Sequence, residues 1–412
     1  MPKLVTSIGP PTNKKTPVSS HLANKIAQIP QEWTNERPLW KGPCAQGPLG
    51  GITQSMLQRF LSCRERFRIK YVLGLEPPDQ WQKTFGFGNM WHVCEEALAK
   101  KDHTCVNRSA DILWIADLTD YAAKQLAKYP MQREEIEKWY MVCRTQFPEY
   151  VKYWSEHPDV KTRTPLMQEQ VFDVPYTLPS GRVVRLRGKW DAGDIIDNGI
   201  YQQENKSKSQ IDKVEIERQL KFDLQTMMYQ TAMIQDTGIE TLEEAKEKYP
   251  INGVRYNVVR RDLPIRKHKE KCTKPRYGTG KNKDKLLDPG KITPAETDEH
   301  FYERFRADYV AANPDEWFFR VRSEVSDKDV QEFQKQTLDP LLEQLCFWYD
   351  EVTGIDMVNV IHDHGYPPLN FRMPFGIYNM LTEQGFTEYD AFLESGSRAG
   401  LRQVDTLFTE LQ

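Results

Sequence analysis

The sequence predicts an α/β protein in which a mixed central β-sheet is flanked by helices. Between residues 168 and 205, three apolar and β-branched runs are broken by Pro179-Ser180-Gly181 and Asp197-Asn198-Gly199, both of them hairpin-turn chemistry. Two later runs of the same kind, near 253–261 and 317–325, alternate with segments of helical periodicity. From residue 53 to about 157, by contrast, the apolar spacing is helical. This order is expected of one sheet with helices packed around it.

Residues 1–50 are rich in Pro, Asn, Lys and Gly and are expected to form a flexible arm. From Thr53 the spacing of Met56, Leu57, Phe60 and Leu61 puts them on one helix face, interleaved by Arg59, Arg64, Arg66, Arg68 and Lys70. A turn at Glu76-Pro77-Pro78-Asp79 precedes a second helix over 85–101, which carries His92. The aromatic-rich stretch from about 105 to 160 is expected as a helical insertion. The three-strand meander covers 168–178, 182–196 and 200–205, and a helix over 214–234 follows. Beyond the strand at 253–261 come a basic loop at about 262–290, a helix near 296–311, the last strand and a helix over 327–350. Residues 351–412 form a C-terminal extension.

With 412 residues, 39% of them hydrophobic and 28% charged, the chain can bury a sizeable core as one elaborated domain or two small ones. It has no apolar run long enough to cross a bilayer and no signal-peptide pattern, so a cytoplasmic location and no membrane partner are expected. A net charge of −3 means that any nucleic-acid face must be local. Seven scattered cysteines, never spaced as C-x-x-C, suit a reducing compartment.

Two strand ends carry the chemistry. The first reads Arg187-Gly188-Lys189-Trp190-Asp191-Ala192-Gly193-Asp194, and the second Gln203-Glu204-Asn205-Lys206. In a hairpin of this length Asp191 and Glu204 lie across from each other, close enough to share one hard cation such as Mg²⁺. Lys206 is two residues past Glu204, so strand alternation puts both on one face. An ammonium there can orient an attacking water while the metal stabilises charge growing on a phosphate. Asp191, Glu204 and Lys206 are therefore the candidate catalytic residues.

This D…E-x-K hairpin resembles the core of the PD-(D/E)XK nuclease superfamily, specifically its RecB-like branch with the CRISPR-adaptation exonucleases and phage recombination nucleases. Four further pieces resemble that branch in order. They are Ser55-x-Leu57-x-x-Phe60-x-x-Cys63-x-x-x-Phe67, the Gly-rich lead-in Phe85-Gly86-x-Gly88-x-x-x-His92, Gly188-x-x-Asp191, and Gln225-x-x-x-Tyr229. The resemblance covers about residues 51–262 and implies a restriction-endonuclease-like fold for a nuclease domain at 51–350. It implies His92, Asp191, Glu204 and Asn205 as ligands of Mg²⁺ or Mn²⁺, with Gln225 and Tyr229 contacting a DNA end or supporting the site. Glu169 is a candidate further acid, and Glu96, one turn beyond His92, a candidate partner for its imidazole.

Relatives with an iron–sulfur cluster place three cysteines near the C-terminus, but here none follows Cys346, so no cluster is expected. Pro275 and the lack of Ser or Thr after Lys281 argue against ATP binding at Gly278-Thr-Gly280-Lys281. From Arg260 to Lys285 there are 11 Lys or Arg against three acids, and Lys267, Lys269, Lys271 and Lys274 are candidate contacts to DNA phosphates. The function expected is a metal-dependent DNA nuclease, an exonuclease processing single- or double-stranded ends in recombination, repair or phage replication. A recombination or replication protein would be its partner, and host cytoplasm its location if phage-encoded. The alternatives are a DNA endonuclease and a non-catalytic DNA-binding or assembly protein that keeps the fold. Oligomeric state is not legible.

Overall fold

The computed structural model describes residues 38–62, 64–72, 74–76, 79–99, 108–155, 157, 162–220, 223–266, 296–354 and 402–411. The chain divides into two compact units. The larger comprises Gly42–Gln58, Asp79–Leu345 and Phe408–Gln412. Its sheet has five strands: β1 (Thr164–Thr177), β2 (Val183–Ile196), β3 (Gly199–Lys208), β4 (Ile251–Arg260) and β5 (Phe318–Glu324). They lie side by side in chain order, every pair antiparallel except β3 and β4, which run parallel. A parallel pair requires a long crossover, and it contains α5 (Lys213–Leu220), α6 (Leu224–Ile234) and α7 (Glu240–Lys246). The central strand β3 is buried continuously from Gly199 to Asn205, as a strand covered on both faces must be.

The two turns set the register. Asp197 and Asn198 both have positive φ, the conformation of a two-residue hairpin whose twist matches its strands. Gly199, next in line, serves packing instead, because a Cβ there would collide with the Asn252 side chain.

After α1 (Gln54–Ser62), the helices α2 (Lys83–Ala99), α3 (Arg108–Lys128) and α4 (Arg133–Ser155) bury an aromatic core on one side. Trp91, Trp114, Phe147 and Tyr150 meet there at centroid distances of 5.0–5.6 Å, Trp91 edge to face with Phe147 and Tyr150. Gly86 lies inside α2 and not before it, with Trp81 packed where its side chain would be.

Two expectations are corrected. The helix expected over 214–234 is two helices, because Asp223 caps α6 by accepting the Thr226 N–H at 3.0 Å; the intervening helix α7 was not foreseen. Residues 38–50, expected within a flexible arm, are packed. In the larger unit the Arg185 guanidinium donates to the Ala45 and Gly47 carbonyls, and that of Arg187 to those of Pro48 and Gly50. In the C-terminal segment, Phe408 is buried with Arg187 over its ring at 4.6 Å.

The smaller unit has its own aromatic core, in which Phe67 touches Trp40, Phe60 and Trp348 at 5.1–5.5 Å. Arg68, from the basic run, is buried in it. Leu75–Glu76 pairs antiparallel with Arg402–Gln403. No helix among the described residues is long and apolar enough to cross a membrane.

Two glycines test this packing. A Cβ on Gly188 would stand 2.5 Å from the Phe172 ring and 3.0 Å from that of Tyr229. Gly188→Ala should therefore cost about 1–3 kcal/mol of stability by overpacking. Gly88, within α2, has nothing within 4 Å of a Cβ, so Gly88→Ala should gain up to about 1 kcal/mol of helix propensity. Urea unfolding of the two variants should move in opposite directions.

Candidate active site

β2 and β3 are paired from Ile196/Gly199 down to Ala192/Gln203, and there the ladder ends. The next register positions are Asp191 and Glu204. In place of a ladder bond, the Asp191 carboxylate accepts the backbone N–H of Asn205 at 2.7 Å. Beyond this point β2 stays paired with β1, and β3 with β4. The acids thus stand where the sheet parts.

Across β1, Glu169 falls opposite Asp191, between the pairs Gln168/Ala192 and Gln170/Trp190. Its φ of +47° is a left-handed conformation inside a strand, which costs on the order of 1–2 kcal/mol for a side chain of this size. Its carboxylate meets His92 Nδ1 at 3.4 Å and Lys189 Nζ at 2.6 Å. His92 Nδ1 is also 3.9 Å from Asp191 Oδ1. One ligand atom each from His92, Glu169 and Asp191 lie within 4.8 Å of one another.

Glu204 takes a different set of partners. It is 2% exposed, and its Oε1 accepts from Lys206 Nζ and, at 2.8 Å, from Gln225 Nε2. Gln225 Oε1 in turn accepts from Lys206 Nζ at 2.8 Å. Gln225 therefore holds both the acid and the lysine from α6, and Tyr229 lies one turn further on, its ring edge-to-face with Phe172 at 5.1 Å. The Asn205 side chain turns away, its Oδ1 accepting from Gln203 and Asn257. Glu96, half-buried, adds negative charge beside Lys189. Lys267, Lys269, Lys271 and Lys274 lie outside the described residues.

The titration directions follow from crowding. Burial pushes Asp191 and Glu204 up despite the cations near them, Glu204 to about 7. Burial also raises Glu169, but His92 and Lys189 outweigh it and hold that carboxyl below its ordinary value. For His92, burial favours the neutral ring, yet Asp191, Glu169 and Glu95 together raise it to about 9. Lys206 is likewise raised by Glu204 and Asp191 against the effect of burial, so it remains an ammonium. Tyr229 is raised by burial, then by Glu204 and Asp191.

The donor set fits a divalent cation. His92 Nδ1 and Glu169 Oε1 are buried without a hydrogen bond, and an imidazole with two carboxylates can hold a divalent metal ion with water completing the shell. Two residues given no role from the sequence belong here. Lys189 has the same strand-alternation signal before Asp191 that Lys206 has after Glu204. Glu95, three residues beyond His92, is buried, whereas the expected partner Glu96 is not.

The His92 shift has a direct check. In EDTA, its imidazole should titrate near 9 by NMR, and Asp191→Asn should bring that value down toward 6.5. Because the value is raised on folding, the stability it contributes is full below about 6.5 and lost as pH rises through about 9. A His92 that titrates at 6.5 in both proteins would contradict the geometry.

Residues 52–346 match the PD-(D/E)XK nuclease superfamily. No curated protein shows significant similarity to the chain. The match takes in the helix bearing His92, the meander with its acids and all five strands of a restriction-endonuclease-like sheet. Covering well over half of the sequence, it establishes that this chain belongs to the PD-(D/E)XK nuclease superfamily.

Proposed function

We propose that the protein is a Mg²⁺- or Mn²⁺-dependent deoxyribonuclease of the RecB-like branch, acting on DNA ends. The observation that carries this reading is the convergence of His92, Glu169 and Asp191 where β2 leaves β3, beside the Glu204–Lys206–Gln225 triad. His92, Glu169 and Asp191 would hold the cation, with Glu204 adjoining. When bound, the cation would supply Lewis-acid stabilisation of the charge that grows on the scissile phosphate.

The protein groups divide the remaining work. Lys206, kept protonated by its acidic neighbours, is a hydrogen-bond donor and not a base; it orients the attacking water and favours its deprotonated form. Gln225 fixes that ammonium in place from α6. Lys189 balances Glu169 at the opposite edge. The order of the five sequence pieces supports the RecB-like branch, and that branch supports DNA ends as substrate.

Asp191→Ala and Glu204→Ala should each abolish metal-dependent cleavage of end-labelled linear DNA with the fold retained by circular dichroism. Lys206→Ala should lose most of the rate, on the order of 10²-fold or more, while still binding Mn²⁺. Near-wild-type cleavage by both acid variants would refute the assignment. Circular DNA cleaved as fast as linear would refute action on ends.

The basic run after β4 is proposed as a DNA-backbone contact. Neutralising Lys267, Lys269, Lys271 and Lys274 should make the slope of log K against log [salt] shallower by about 0.7–0.9 per lost contact. Fluorescence anisotropy in Ca²⁺ reads that slope, and an unchanged one would remove the loop from the interface.

A further inference from the structure

His92 and Asp191 have no backbone connection that fixes their separation. One is on α2, and the other is on β2 where that strand has left β3. A shared cation needs its ligands held to about half an ångström by groups that are themselves locked. The structure supplies a continuous path of buried side chains between them. We propose that Glu95, Tyr150, Asn257 and Asn205 form a positioning chain that sets the distance between His92 and Asp191. This rests on the reading of those two residues as metal ligands.

The path is short. Glu95 lies on α2, three residues past His92, and its Oε1 accepts from the Tyr150 hydroxyl of α4 at 2.6 Å and from Asn257 Nδ2 of β4 at 2.8 Å. Asn257 Nδ2 also faces the Tyr150 hydroxyl and Asn205 Oδ1, the latter at 3.1 Å. Asn205, on β3, closes the path through its backbone, whose N–H is donated to the Asp191 carboxylate at 2.7 Å. All four residues are at most 7% exposed. The far side is braced as well: Gln203 Nε2 donates to Asn205 Oδ1 at 2.9 Å, Arg255 donates to Gln203, and Arg255 pairs with Asp194 at 2.6 Å.

The chain explains why the residue between Glu204 and Lys206 is an amide with its side chain turned from the ligands. Asn205 is attached on two sides, its side chain tied through Asn257 to Glu95 on the helix of His92 and its backbone N–H tied to Asp191. A change at the Glu95, Tyr150 or Asn257 side chain should move one ligand relative to the other, the path reaching Asp191 only through the Asn205 backbone N–H. These four are positioning residues, not catalytic ones.

The test measures Mn²⁺ affinity by calorimetry, melting temperature and steady-state cleavage on the full-length protein. Asn257→Ala and Glu95→Ala should weaken Mn²⁺ binding by about 10- to 100-fold, the effect typical of losing a ligand's supporting partner. kcat should fall with it while KM for DNA stays put. Glu95→Gln keeps the acceptor oxygen and should restore binding close to wild type. Tyr150→Phe removes only a hydroxyl and should weaken Mn²⁺ in the same direction, which covers the case in which an alanine variant does not fold. Phe305→Leu, whose buried ring packs on Trp317 and on no member of the path, should lower the melting temperature and leave Mn²⁺ affinity unchanged. Wild-type affinity in Asn257→Ala and Glu95→Ala, or an affinity loss in Phe305→Leu as large as theirs, would overturn the chain. A wild-type protein that binds no Mn²⁺ would overturn the metal-site reading and the chain with it.

Discussion

The site depends on the place where β2 and β3 stop pairing. Had the ladder continued past Ala192 and Gln203, Asp191 and Glu204 would be ordinary neighbours on a closed sheet, reachable from one face alone. Because the strands part, one backbone N–H is left over, and the Asp191 carboxylate takes it. That bond fixes the acid at the opening, where His92 from the helical layer and Glu169 from β1 reach it. Each strand keeps its outer partner, so the parting weakens the sheet only locally.

Electrostatics then determines how the residues share the space. Three acids, Glu169, Asp191 and Glu204, stand against three bases, His92, Lys189 and Lys206, and each acid leans on a different base. With its imidazole raised to about 9, His92 carries a proton at neutral pH, so a cation that takes its ring nitrogen would displace that proton. The lysines stay charged throughout, one at each end of the row. Gln225 keeps the Glu204 end in order by satisfying the acid and the ammonium together.

Much of this was legible in the chain and some was not, for identifiable reasons. The turn at Asp197-Asn198-Gly199 fixes the hairpin register, and the register alone brings position 191 opposite 204. The strands were found to within a few residues because their patterns are strong. His92 had no such signal of its own, since nothing in a helical periodicity says which strand lies beneath it; the resemblance supplied it. Glu95 and Glu96 both lie about one turn from His92, and helical spacing gives no sign that Glu95 is the buried one. The left-handed backbone at Glu169 leaves no mark in residue type, and residues 45–50 are held by arginine side chains binding main-chain carbonyls, which apolar spacing cannot register.

The parallel pairing of β3 with β4 also has a consequence in time. A meander of antiparallel strands closes over short turns, but a parallel partner must wait until the crossover of α5, α6 and α7 has been laid down and folded back. Asn257 and Gln225 both arrive with that slower event, one on β4 and the other on the crossover itself. Asp191 and Glu204 are therefore brought side by side by a local hairpin, whereas the groups that hold them in order depend on the distant crossover. A chain that had made only its hairpins would carry Asp191 and Glu204 without Gln225 and Asn257 to hold them in order.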